Sequence, residues 1–218
     1  MYIQITNRCN MACEHCGMSC GPAGEDMSME VFKAAGQLAQ DNGHYISLGG
    51  GEPTLHPDFW AFIGLSLAYS EEGYVWLATN GSQTETALKL ARMAEKGVIG
   101  CALSQDQYHD EIDDRVIEAF ASDHRPGLRG NDSREIRCVD GNIVQAGRAA
   151  EWGNLEGCVC DDLFVSPDGK LWACGCQSVQ FGTVFEPDIP GDWGSDEMWD
   201  GYRCPTEYGI NKRELEAA

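Results

Sequence analysis

Ile5-Thr6-Asn7-Arg8-Cys9-Asn10-Met11-Ala12-Cys13-Glu14-His15-Cys16 places three thiols in one short loop, directly after a run rich in β-formers. The alternation of Tyr2 to Thr6 predicts a first strand whose end delivers the cysteines. Thiolates at Cys9, Cys13 and Cys16 can bond three irons of an iron–sulfur cubane and leave the fourth iron open to a ligand. The competing chemistry is a closed structural zinc site with Cys20 as the fourth thiolate.

Outward from this loop, strand and helix patterns alternate. Ser28 is the expected N-cap of a first helix, with Met27 and Phe32 as a hydrophobic staple and Val31, Phe32, Ala35, Leu38 and Ala39 on one face up to Asn42-Gly43. His44 to Leu48 reads as a second strand running into Gly49-Gly50-Gly51-Glu52-Pro53, where glycines let the backbone approach a ligand closely. Pro57 suits the first position of a second helix carrying Phe59, Trp60, Phe62, Ile63 and Leu67. Tyr74 to Ala78 is a third strand stopped by Thr79-Asn80-Gly81, and a third helix runs from about Glu85 to Lys96 with Gly97 as its stop. Val98 to Leu103 is a fourth strand, and Ile112, Val116, Ile117 and Phe120 mark a fourth helix. A polar loop over Ser122 to Asp132 precedes a strand over Arg134 to Val139 and another around Asn142 to Gln145.

Regular alternation of this kind calls for an α/β fold with a parallel sheet and right-handed crossovers. The span before residue 150 is too short for an eight-fold barrel of about 250 residues, so a partial (β/α)5-6 barrel is expected, with ligands at the C-terminal ends of its strands. The expected division is a barrel over residues 1–150 and a small cysteine-rich β-hairpin extension over residues 151–218.

Composition narrows the function. The chain has 218 residues and a formal net charge of −20, which opposes binding to the phosphates of a nucleic-acid duplex. No apolar run approaches the ~18 residues of a membrane span and the opening residues do not resemble a signal peptide, so the expected compartment is the cytoplasm. Eleven cysteines under reducing conditions point to metal ligation rather than disulfides.

The C-x₃-C-x₂-C spacing of Cys9, Cys13 and Cys16, followed at the end of the second strand by Gly-Gly-Glu-Pro, resembles the signature of the radical S-adenosylmethionine (radical SAM) superfamily. The resemblance implies a [4Fe-4S] cluster on the three cysteines, with S-adenosylmethionine chelated at its open iron through the amino and carboxylate groups. It implies reductive cleavage of that cofactor to a 5′-deoxyadenosyl radical that abstracts hydrogen from substrate, and an electron donor such as flavodoxin or ferredoxin. By the same likeness Gly50, Gly51 and Glu52 match the cofactor-binding turn, and Thr79-Asn80-Gly81 resembles the family's Thr-Asn-Gly, which makes Asn80 a further candidate. His15 stands where the family usually has an aromatic residue, and its imidazole can lie against the adenine. Ser104-Gln105-Asp106-Gln107-Tyr108-His109 is similar to a Ser-x-Asp-x-Tyr-His run of some branches: Ser104 is a candidate for the ribose, and Asp106, Tyr108 and His109 are candidates to face the substrate. Tyr108 and His109 can equally begin the fourth helix and pack there. Gly147-Arg148-Ala149 resembles a Gly-Arg-Ala of relatives, with Arg148 a candidate partner of the cofactor carboxylate.

In the tail, Ser166-Pro167-Asp168-Gly169 between two apolar runs is a hairpin signal that places Cys160 near Cys174 and Cys158 near Cys176. Four thiolates there suit a second iron–sulfur cluster or a structural zinc. The arrangement resembles the SPASM or shorter twitch extensions of radical SAM enzymes, which implies an auxiliary cluster. Cys138 and Cys204 are spare thiols, and Cys101 reads as a core residue. The substrate is left open between a peptide, a small metabolite and a nucleoside or nucleobase; an inert iron–sulfur or zinc scaffold is the reading from another class.

Overall fold

The computed structural model describes residues 1–121, 134–138, 143–153 and 162–190. Its strands are β1 (Tyr2–Thr6), β2 (Ile46–Gly50), β3 (Val75–Thr79), β4 (Gly100–Ser104), β5 (Arg134–Arg137), β6 (Phe164–Val165), β7 (Lys170–Trp172) and β8 (Gln180–Thr183). Four α-helices, α1 (Met29–Asp41), α2 (Phe59–Tyr69), α3 (Thr84–Glu95) and α4 (Asp114–Ala121), fall after β1, β2, β3 and β4 in turn. All eight strands form one open sheet in the order β5-β4-β3-β2-β1-β6-β7-β8. Every pairing from β5 across to β6 is parallel, and only β6–β7 and β7–β8 are antiparallel. This is the parallel-dominated α/β arrangement expected of a partial barrel, left open.

Alternation along β1 assigns its two faces. Ile3 and Ile5 are fully buried in the core with Phe32, Ile46, Leu48, Phe62, Leu77 and Leu90. Between them Tyr2, Gln4 and Thr6 point to the opposite face of the sheet. Ser28 caps α1 by accepting a bond from the Val31 N–H at 3.2 Å, and the staple residues Met27 and Phe32 are both buried. Phe32 stacks on Phe62 of α2 with ring centroids 4.0 Å apart, so α1 and α2 are joined through the core.

Three elements differ from expectation. Helix α2 starts at Phe59 after an Asp58 N-cap, not at Pro57, because Pro53 already opens a separate 3₁₀ turn over Pro53–Leu55 that redirects the chain. Strand β2 lies over Ile46–Gly50, two residues later than the pattern suggested, because two of the glycines are accommodated in the ladder across an irregularity opposite Gln4 and Thr6. Among the described residues no strand occupies positions 143–145; the sixth parallel strand is β6, from the tail, which adds to the open side of β1 with Tyr2 opposite Phe164. Stacking of Tyr2 on Phe164, at 5.4 Å and 9° between ring planes, fixes this docking.

The Pro-Asp-Gly hairpin forms between β6 and β7, with Phe164 opposite Trp172 and Val165 opposite Leu171. Direct pairing of Cys160 with Cys174 needs Phe164 opposite Lys170, so the observed register is offset from the expected one by 172 − 170, two residues. Cys158, Cys160 and Cys204 lie outside the described residues, as does the loop expected over Ser122 to Asp132. No helix among the described residues is long and apolar enough to cross a membrane.

Gly36 of α1 faces Tyr69 of α2 without room for a side chain: a β-carbon there would lie 2.4 Å from Cδ2 of Tyr69. An alanine ordinarily stabilises a helix interior by about 1 kcal/mol over glycine. Here the ring blocks it, so Gly36→Ala is expected to destabilise the fold by about 1–3 kcal/mol in urea unfolding, and a gain of stability would show that the contact yields.

Candidate metal centre and cofactor cavity

The C-terminal ends of β1 to β5 open onto a cavity of about 620 Å³, within the range of small-molecule sites. Cys9, Cys13, Cys16 and Cys20 line it together with Gly49, Gly50, Gly51, Glu52, Asn80, Ser104, His109, Arg148 and Cys176. The cysteine loop is shaped by its own backbone: Cys9 N–H donates to the Gly21 carbonyl at 2.9 Å and Cys16 N–H to the Cys13 carbonyl at 3.2 Å. From beneath, buried Gln4 offers its side-chain amide to the Met18 sulfur at 3.2 Å and the Cys20 sulfur at 3.5 Å.

The donor set is three thiols on one short loop. Tetrahedral zinc at about 2.3 Å from each sulfur brings thiolates within about 4 Å of one another. Among the described residues the one set of three or more His, Cys, Asp or Glu ligand atoms lying within 4.8 Å of one another is His15, Asp106 and His109; no three cysteines gather so tightly. Cys9, Cys13 and Cys16 line one cavity with the glycine turn and Asn80 beside them, a three-thiolate donor set that fits a cluster with one open iron.

The glycine turn is pressed onto this loop. A β-carbon on Gly51 would lie 2.4 Å from the Arg8 carbonyl oxygen and 2.7 Å from Cβ of Cys9, and Gly51 and Glu52 N–H donate to the carbonyls of Thr6 and Arg8 at 2.8 and 2.9 Å. Glu52 is fully buried. One carboxylate oxygen accepts from Thr54 N–H at 3.2 Å, Thr54 Oγ1 at 2.5 Å and Thr79 Oγ1 at 2.8 Å, and the other accepts from Asn80 N–H at 2.6 Å. Burial still holds its pKa above the ordinary carboxylate range, against the pull of those bonds. Its side chain thus ties β2 to the end of β3. Asn80 in turn donates to Asn10 Oδ1 at 3.1 Å, which orders the cysteine loop from the β3 side.

At the β4 end, Ser104 lines the cavity opposite Arg137 of β5. The Asp106 carboxylate accepts from Tyr108 N–H at 2.9 Å and from His109 Nδ1 at 2.8 Å. Of the three candidates for the substrate face, His109 lines the cavity, Asp106 orients it, and Tyr108 packs between His15 and Trp152 at 4.8 and 6.0 Å. His15 lies on the cavity wall with Nδ1 buried and without a hydrogen-bond partner, and burial lowers its pKa. Arg148 lines the cavity and also holds the cysteine loop: Nε donates to the Cys13 carbonyl at 2.9 Å and Nη1 to the Cys20 carbonyl at 2.6 Å. In the tail, the thiols of Cys174 and Cys176 are 2.9 Å apart. Cys101 is fully buried in β4, and Cys138 is exposed.

Sequence reasoning missed Tyr2, Gln4, Asn10 and Arg137. For Tyr2 and Gln4 the signal was available, since their alternation with Ile3 and Ile5 puts them on the cavity face; Arg137, whose guanidinium sits 5.9 Å from the Trp76 ring, carried none.

Residues 3–125 match the model of the radical SAM superfamily. The chain belongs to the radical SAM superfamily. Membership implies a [4Fe-4S] cluster and S-adenosylmethionine as cofactors. The chain is 31% identical over 148 residues to the mycofactocin maturase MftC of Mycobacterium ulcerans (strain Agy99), an alignment covering 67% of this chain and 36% of that protein. It is 33% identical over 109 residues to the mitochondrial GTP 3′,8-cyclase of Arabidopsis thaliana, covering 48% of this chain and 27% of that one. The chain thus spans about a third of the length of these relatives. In fold it is similar to BtrN in complex with AdoMet and 2-DOIA, with a TM-score of 0.61 and 16% identity over all of this chain and 88% of that one. It is also similar to anSMEcpe with bound AdoMet and a Cp18Cys peptide, with a TM-score of 0.51 and 15% identity over 97% and 81% of the two chains.

The metal-free radical SAM loop holds its thiols unequally. A hydrogen bond from the Cys20 thiol, aided by the backbone N–H of Cys20, pulls the Cys16 pKa well below the ordinary thiol value, whereas burial pushes Cys13 up to about 11. Because the thiolate is the nucleophile, iodoacetamide at pH 7 is expected to modify Cys16 of the apoprotein well before Cys13, with Cys16 labelling slowing as pH falls and the thiolate is protonated. Peptide mapping reads this directly, and equal rates would show that the Cys20 bond does not form.

Proposed function

We propose that this chain is the catalytic core of a radical SAM maturase that modifies a peptide, with its cluster on Cys9, Cys13 and Cys16. The observation that carries the reading is the interlock of the cysteine loop with the Gly49–Glu52 turn around one cavity that Cys9, Cys13 and Cys16 line. When bound and reduced, the cluster and its cofactor supply a 5′-deoxyadenosyl radical that removes an unactivated hydrogen.

The chain's own residues then have the following parts. Gly50, Gly51, Glu52 and Asn80 form the wall toward the cofactor's amino end, Ser104 stands at the β4 end for the ribose, and His15 offers its ring to the adenine. Asp106 accepts from His109 Nδ1, which leaves Nε2 as the atom that takes or gives a proton on the cavity side. Residues 151–218 form an auxiliary metal region that includes Cys158, Cys160, Cys174 and Cys176, with a second iron–sulfur cluster as its occupant and zinc as the alternative; Cys176 on the cavity wall supports a role close to substrate. The family resemblance supports a small electron carrier such as flavodoxin or ferredoxin as donor, and the acidic charge and lack of a long apolar run support work in the cytoplasm away from duplex nucleic acid and membrane.

The similarity to a maturase over 67% of the chain, and the peptide seated in a protein of like fold, support a peptide substrate. The shorter match to a GTP cyclase favours a nucleotide as the second reading.

Anaerobic reconstitution, with S-adenosylmethionine and a strong reductant, is expected to yield 5′-deoxyadenosine that disappears in Cys9→Ala. Iron content of about eight per chain, falling to about four in Cys174→Ala, is expected for a second cubane. Deoxyadenosine formation is expected to rise on adding precursor peptides and not on adding nucleosides. Zinc retention with no deoxyadenosine would sink the enzyme reading, and stimulation by nucleosides alone would move the substrate to the second.

A further inference from the structure

One residue from the far side of the chain grips the cysteine loop at three points. Arg148 donates its backbone N–H to the Cys16 carbonyl at 3.0 Å, Nε to the Cys13 carbonyl at 2.9 Å and Nη1 to the Cys20 carbonyl at 2.6 Å. The turn Gly147–Ala149 that presents it is moulded to the loop: Gly147 has φ +56°, and a β-carbon there would lie 2.5 Å from the Gly17 carbonyl carbon. No other residue type fits both the conformation and the space. A planar guanidinium can hold two carbonyls at once in a fixed geometry, which an ammonium cannot. Its positive charge stands on the same cavity wall as Cys9, Cys13 and Cys16, in a chain whose formal net charge is −20.

We infer that Arg148 is a positioning residue for the cluster, a brace that closes the cysteine loop around the metal and a fixed positive charge that favours the reduced state. The inference rests on the assignment of the cubane to Cys9, Cys13 and Cys16. Reduction adds one negative charge to a site already rich in thiolates, so a cation locked beside it raises the reduction potential. Holding the carbonyls of Cys13, Cys16 and Cys20 fixes the directions in which the neighbouring thiols point and slows escape of iron.

The test compares wild type, R148K and R148Q after anaerobic reconstitution, following the potential of the cluster whose EPR signal changes on adding S-adenosylmethionine, the rate of iron release to a chelator, and affinity for S-adenosylmethionine. In R148Q the ratio of reduced to oxidised cluster at a fixed potential is expected to fall about tenfold, a midpoint about 59 mV more negative for a one-electron couple, with faster iron release. In R148K the charge remains and the fork is lost, so the midpoint is expected to stay near wild type while iron release still quickens. If R148Q does not fold, R148K decides: iron release at the wild-type rate overturns the brace. A wild-type potential and iron release in R148Q overturn the inference, as does a loss confined to affinity for S-adenosylmethionine, which would place Arg148 on the cofactor carboxylate. Failure of wild type itself to form a cubane overturns the metal assignment instead, and is seen in the iron count before any variant is compared.

Discussion

The close approach of Gly51 to Cys9 is the constraint on which the rest of the structure depends. With 2.7 Å between a would-be β-carbon and Cβ of Cys9, the loop after β2 and the loop after β1 occupy one volume, and neither can be placed without the other. Two backbone bonds, from Gly51 and Glu52 to the carbonyls of Thr6 and Arg8, continue the β1–β2 pairing past the sheet and into the site. Parallel strands make this possible, because they bring consecutive C-terminal ends side by side on one rim. The buried Glu52 carboxylate extends the linkage to β3 through Thr79 and Asn80, so three strand ends move as one unit.

Rigidity of that unit has a chemical purpose. A cofactor that generates a reactive radical leaves to the protein the tasks of binding, orientation and exclusion of water. The cavity walls carry them out with groups that already have internal partners: Glu52 accepts four bonds, Asn80 bridges to Asn10, and Asp106 fixes the ring of His109. Side chains held in this way stay in position without the cofactor present, so ordering them on binding costs little.

How much of this was legible in the sequence depends on the range of each signal. The period of two in Tyr2–Thr6 and the Ser28 cap are local, and β1 and α1 came out where the residues place them. The cysteine spacing and the glycine turn are also local, and both lie on the cavity. Where a signal depended on distant partners it failed. Pro-Asp-Gly says that β6 and β7 pair with each other, but not that β6 then lies against β1; that docking is decided by Tyr2 meeting Phe164, residues 162 positions apart (164 − 2). The bonds of Arg148 to the carbonyls of Cys13 and Cys20 were likewise illegible, since a backbone carbonyl as partner leaves no mark in the sequence. Glycines misled by their freedom: Gly49 and Gly50 read as turn and are strand.

Docking of β6 on β1 has a consequence for the tail. A hairpin joined only by a linker would hold its thiols at no fixed distance from the cysteine loop. Because β6 is in register with β1, with Val165 opposite Ile3, the chain beyond β7 leaves the sheet beside the site, and Cys176 reaches the same cavity wall as Cys9 and Cys16. The tail strands share the buried core through Leu163, Val165 and Leu171, so this placement is secured by the same apolar contacts that stabilise the barrel. A change in the core beneath β1 therefore acts on both sets of thiols together, and the two groups of cysteines are coupled through packing.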